Sequence, residues 1–135
     1  GDAGCQALAA TAPRLPELRR VEVWSNRVRD RGALALAGAL ATSCPHLEVV
    51  CAGVNWLSHA GLVGVAKRLG EEGRCPRLRE LDVEQCWALD RRALADDMRR
   101  ELGPGVEVEV GSQALGQLRL LALGIGLPAA GAACA

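Results

Sequence analysis

The side chains able to do acid–base, nucleophilic or metal chemistry are few. The only histidines are His46 and His59, and the cysteines are Cys5, Cys44, Cys51, Cys75, Cys86 and Cys134. Cys44 and His46 form a Cys-x-His pair that Cys75 could approach from a neighbouring segment. That is one ligand short of a closed zinc site, which takes four. Neither histidine has a Ser or Cys nucleophile near it in sequence, and no phosphate-cradling glycine motif occurs. The richer pattern is acidic. Glu80, Asp82 and Glu84 alternate along one stretch, and Glu107 and Glu109 along another. Carboxylates two residues apart share one face of an extended strand, so their chemistry would be attraction of a cationic group. Arginine gathers at Arg27, Arg29 and Arg31, and again at Arg91, Arg92, Arg99 and Arg100. The simplest reading of both clusters is a solubilising surface.

What positions these groups is a repeat. Leu18 to Val28 (LRRVEVWSNRV) returns as Leu47 to Leu57 (LEVVCAGVNWL) and as Leu78 to Ala88 (LRELDVEQCWA), in the order L-x-x-L-x-L-x-x-N/C-x-L. Leu18, Leu47 and Leu78 are separated by 29 and 31 residues, and Asn26, Asn55 and Cys86 keep both intervals. A period of that size signals stacked supersecondary units, each a strand, a turn and a helix. The strand period turns Val21, Val23, Val50, Ala52, Leu81, Val83, Val106, Val108 and Val110 toward a core. The helical spacing of Ala33, Leu36, Ala37 and Leu40, and of Leu62, Val65, Ala66 and Leu69, supplies the opposing stripe. Asp2, Asp30, Ser58 and Asp90 are the expected helix caps, since their side-chain oxygens can accept from first-turn amides.

The pattern resembles the leucine-rich repeat, and its length resembles the ribonuclease-inhibitor-like subclass. The resemblance covers roughly residues 2–110. It implies an α/β fold, a right-handed solenoid forming a horseshoe segment, with parallel strands on a concave face and helices on a convex one. It also implies that Asn26, Asn55 and Cys86 form an interior ladder bonding the backbone of adjacent coils, and the cysteines resemble those of the cysteine-containing repeat variant. The expected division is a solenoid over 1–110, with a partial first repeat, units starting near 18, 47 and 78 and a last strand at 105–110, followed by an apolar tail over 111–135. The chain opens in the helical half of a repeat, and the expectation is a C-terminal piece of a longer protein.

Stacked in register, the strands would present Arg20, Glu22 and Trp24, then Val49, Cys51 and Gly53, then Glu80, Asp82 and Glu84, then Glu107 and Glu109. Two readings of that row stand. It is a docking surface for a protein with a basic segment, with Trp24 as an aromatic anchor, or a solvated face whose charges oppose aggregation. With 16 basic and 16 acidic residues the chain carries no net charge, which argues against nucleic acid as partner. Residues 120–135 are 16 uncharged residues, short of the roughly 20 a membrane span needs. Cys44 and Cys75 hold equivalent places, so the cysteines read as reduced thiols of a cytoplasmic or other intracellular protein rather than three disulfides. Trp56 and Trp87 share a repeat position and are expected to pack along one edge. The sequence thus points to a non-enzymatic protein-binding module or scaffold without catalytic, metal or cofactor site. A structural subunit of a large assembly, or a GTPase regulator of the kind that uses similar solenoids, are the alternatives.

Overall fold

The computed structural model describes residues 1–84 and 90–111. Cys86, Trp87 and the apolar tail, with the expectations attached to them, lie outside the described residues. The described chain runs α1 (Asp2–Thr11), a 3-10 turn (Ala12–Arg14), β1 (Arg20–Glu22), α2 (Asp30–Ser43), β2 (Val49–Cys51), α3 (His59–Gly70), β3 (Glu80–Asp82), α4 (Arg91–Leu102) and β4 (Glu107–Glu109). The four strands form one parallel sheet in the order β1-β2-β3-β4, and each helix packs on the next along the row.

The core lies between the two layers. Leu47, Leu57, Leu62, Leu69, Leu81, Leu94 and Met98 are its largest wholly enclosed side chains. Each such aliphatic residue contributes about 1.5–3 kcal/mol by leaving water. In a chain without Phe or Tyr, numbers compensate for size. The small residues Ala33, Ala37, Ala41 and Ala66 are buried as well, which lets the helices sit close to three-residue strands.

Glycine appears where helices meet most closely. A Cβ on Gly61 would lie 2.0 Å from Asp30 Oδ1, and one on Gly32 would lie 2.7 Å from Asp2 Cα. At Gly70, the last residue of α3, a Cβ would lie 2.1 Å from the Glu101 carbonyl oxygen.

Two of the expected caps act differently. Ser58 accepts from Gly61 N–H and Asp90 from Ala93 N–H, as caps do. Asp30, however, is the first residue inside α2, and its carboxylate accepts from Ser58 N–H at 2.8 Å and Ser58 Oγ–H at 2.6 Å. Asp2 likewise accepts from Arg29 N–H at 2.7 Å. A side chain one position inside the helix points across the stack, so these aspartates join consecutive units instead of closing their own helices.

The ladder position also divides. Asn55 is fully buried. Its Oδ1 accepts from Asn26 N–H at 2.9 Å and Val28 N–H at 3.0 Å, and its Nδ2 donates to the Val23 carbonyl at 2.7 Å and the Ala52 carbonyl at 2.9 Å. Asn26, expected to be interior, is exposed, and its side chain donates only within its own turn, to the Trp24 carbonyl. The ladder bond reaches back to the preceding strand and turn. Among the described residues none lies on that side of β1.

The thiols of Cys5, Cys44, Cys51 and Cys75 are free. Burial pushes all four above the ordinary thiol range, and Cys75, with the Cys44 thiol as a second cause, is pushed up to about 11. Since the thiolate is the reactive form, iodoacetamide at neutral pH should label Cys44 and Cys75 at least about tenfold more slowly in the folded protein than in urea. The same shift sets a pH dependence. Below about 9 both folded and unfolded chains hold the Cys75 proton, so it contributes no pH slope there. Between about 9 and about 11 the unfolded chain releases it first, so stability falls as pH rises. Urea titrations across that window measure the slope, and rapid labelling of Cys44 at pH 7 would contradict its burial.

Candidate functional site: the open face of the sheet

The side of the sheet turned away from the helices carries the residues singled out by alternation. Backbone pairing sets them in rows. Arg20 is level with Val49, Glu80 and Glu107, and Glu22 with Cys51, Asp82 and Glu109. Because neighbouring strands lie about 4.8 Å apart, Glu80 and Glu107 are side by side, as are Asp82 and Glu109. Like charges placed directly across a strand pair are unfavourable.

The cations available to offset them are at the margin. Arg20 donates to Glu22 at 2.6 Å on its own strand and reaches Cys51 Sγ at 3.6 Å. Arg79 approaches Glu80 at 3.8 Å and Glu48 at 3.7 Å, while Arg19 holds the other oxygen of Glu48 at 2.9 Å. Asp82 accepts from Glu84 N–H and Glu109 from Gly111 N–H, so both also order the backbone beyond their strands. Among the described residues no Arg or Lys forms an ion pair with Asp82, Glu107 or Glu109.

The expected site residues therefore separate into kinds. Arg20, Glu22, Glu107 and Glu109 are exposed, and Glu80 and Asp82 half-buried. Glu84 is buried, 9% exposed, with its side chain where a Cβ on Gly111 would be only 2.8 Å from Cγ. It belongs more to the packing of the sheet than to its open surface. Trp24 is half-buried because it lies on Gly53, where a Cβ would sit 2.9 Å from the indole Cδ1. Part of the expected anchor is thus spent within the chain, and the rest borders a shallow depression shared with Arg20, Glu22, Cys51 and Asp82. Cys51 and Val49 form a buried, apolar middle.

The histidines are apart from this face and from one another. His59 Nε2 meets Asp97 Oδ2 at 2.7 Å between α3 and α4, and His46 lies 3.8 Å from Glu17 near the strand entrances. The described residues contain no cluster of three or more His, Cys, Asp or Glu able to hold a metal ion. Of the second Arg cluster, Arg92, Arg99 and Arg100 are exposed, with Arg99 paired to Asp96 and Arg100 to Asp97. Arg91 is different. Its Nη1 donates to the carbonyls of Val110 and Gly111 and fastens α4 to the end of β4, a contact that spacing alone did not signal.

Comparison with solved structures bears on the architecture. The chain superimposes on a tropomodulin C-terminal domain from Caenorhabditis elegans with a TM-score of 0.50 and 13% identity, over 89% of this chain and 98% of that one. The fold is of the leucine-rich-repeat type. No protein-family model and no curated protein matches the sequence. At 13% identity the likeness concerns the arrangement of strands and helices, and the leucine-rich-repeat side chains of the open face must be read by themselves. No described helix of this leucine-rich-repeat fold is long and apolar enough to cross a membrane.

Proposed function

We propose that the chain is a protein-binding module whose open sheet face receives a basic segment of its partner. The observation that supports it is the register of β3 and β4, which sets Glu80 beside Glu107 and Asp82 beside Glu109. A sheet gains no stability from such pairs, whereas a cationic side chain laid between them would meet two carboxylates at once. The remaining surface of Trp24 gives the same face an apolar patch beside the charged one. Under this reading the sheet is the concave side of a right-handed, ribonuclease-inhibitor-like solenoid in an intracellular protein, and the module recognises rather than catalyses.

The test is kinetic. Once a partner has been captured by affinity from the native source, reversing Asp82 and Glu109 to Lys should slow association by about tenfold at low salt, an effect that shrinks as salt rises. Trp24→Ala should act mainly on dissociation, because desolvated aromatic contacts set the lifetime of a complex. Surface plasmon resonance at two ionic strengths separates the two effects. Unchanged kinetics in both variants would leave the carboxylates as a solvated face.

A further inference from the structure

A second surface lies where β1 and β2 end, on the edge formed by the turns leading into α2 and α3. Arg27, Arg29 and Arg31 are all exposed there, and none forms an ion pair among the described residues. The acids nearest in sequence and contact are already engaged: Asp2 accepts the Arg29 amide, and Asp30 accepts Ser58 N–H and Oγ–H. Both carboxylates keep their charge but are half-buried, so the edge carries three exposed guanidinium groups against two partly covered carboxylates, a net positive charge toward solvent.

It is also held in shape. Arg27 has a φ of +53°, in the left-handed region that a side chain other than glycine, Asn or Asp rarely adopts. The amides on either side of it, Asn26 N–H and Val28 N–H, both donate to the buried Asn55 Oδ1, so the core fixes the turn that thrusts Arg27 out. Trp56 N–H donates to the Val28 carbonyl at 2.8 Å and ties the second turn to the first. The Trp56 indole, expected to be packed away, is 40% exposed, with the Arg29 guanidinium 5.4 Å from the ring centroid. Trp and Arg are two of the residue types enriched among those that dominate protein interfaces.

We propose that this edge is a docking surface for an acidic protein segment, separate from the sheet face. Carboxylates of the segment pair with Arg27 and Arg31, and an apolar side chain beside them covers Trp56. An acidic peptide fits better than a nucleic acid. Three arginines neutralise few phosphates of an extended polymer, and one exposed indole offers a single stacking platform for bases.

Hexaglutamate and an oligothymidylate of equal charge are suitable probes, each titrated at low salt into the isotope-labelled chain. The expected result is that hexaglutamate shifts the backbone signals of Arg27 to Arg31 and the Trp56 indole signal, and that the double variant Arg27→Glu, Arg31→Glu weakens binding by about tenfold or more. Trp56→Leu, with the arginines intact, should weaken an acidic peptide ending in a leucine more than it weakens hexaglutamate. Both changes lie at exposed side chains and leave the Asn55 bonds in place, and the wild-type pattern of core methyl signals verifies the fold. Shifts centred elsewhere, or binding unaffected by the double reversal, would overturn the proposal. Tighter binding of the oligothymidylate at the same residues would replace it with nucleic-acid recognition.

Discussion

Replacing Asn55 with Leu should lower stability by about 3–5 kcal/mol, while the same change at Asn26 should cost less than about 0.5 kcal/mol. The two residues hold the same place in the repeat, and their surroundings decide the difference. Asn55 is enclosed and serves two amides and two carbonyls of two successive strand ends. Leucine is close in size but leaves those groups buried and unpaired, and each such loss costs about 1–3 kcal/mol. Asn26 gives up one bond in a turn that water reaches. Thermal melts of the two variants make the comparison directly, and equal shifts in Tm would mean that the strands do not stack as described.

The second large effect is expected at Gly70, where Gly70→Ala should destabilise by about 1–3 kcal/mol or more, the range for overpacking a close contact. The added methyl carbon would sit 2.1 Å from the Glu101 carbonyl oxygen and 3.0 Å from Leu102 Cα. Both are backbone atoms of the last turn of α4, which cannot swing aside as a side chain can. Gly61→Ala offers an instructive contrast. Its methyl would meet the Asp30 carboxylate, which can rotate away at the expense of its bonds to Ser58. Urea denaturation should therefore rank Gly70→Ala as the more damaging. The reverse order would show that α3 and α4 adjust their spacing freely.

The repeat itself was legible because its spacing carries the stacking. Leu18, Leu47 and Leu78 predict which residues of the first three strands stand level, and the pairing Arg20↔Val49↔Glu80 follows it, with Glu107 joining the row from the alternation of its own strand. The alternation of Val21 to Val23 and Val106 to Val110 likewise marks the face turned to the helices. What could not be read depends on contacts between units. Asn26 and Asn55 are alike in sequence, and among the described residues only Asn55 has another strand behind it. Asp30 has the chemistry of a cap, but only the position of Ser58 shows that it bridges instead. Trp24 and Glu84 alternate with the sheet face as expected, yet Gly53 and Gly111 provide hollows in which part of each side chain is absorbed. Trp56 shows the opposite failure: its repeat position suggested packing, and the turn holds it out.

Because α1 packs on α2, α2 on α3 and α3 on α4, and the strands follow the same sequence, each unit is held almost wholly by its immediate neighbours. Free energy in such an array is a sum of local and adjacent terms, so a change in one unit is felt mainly by the units beside it. The turn that projects Arg27 draws its rigidity from Asn55 in the central unit, whereas the row of Glu107 and Glu109 belongs to the last strand. The two surfaces therefore draw on different pairs of neighbouring units, and a disturbance at one reaches the other only through the units between them.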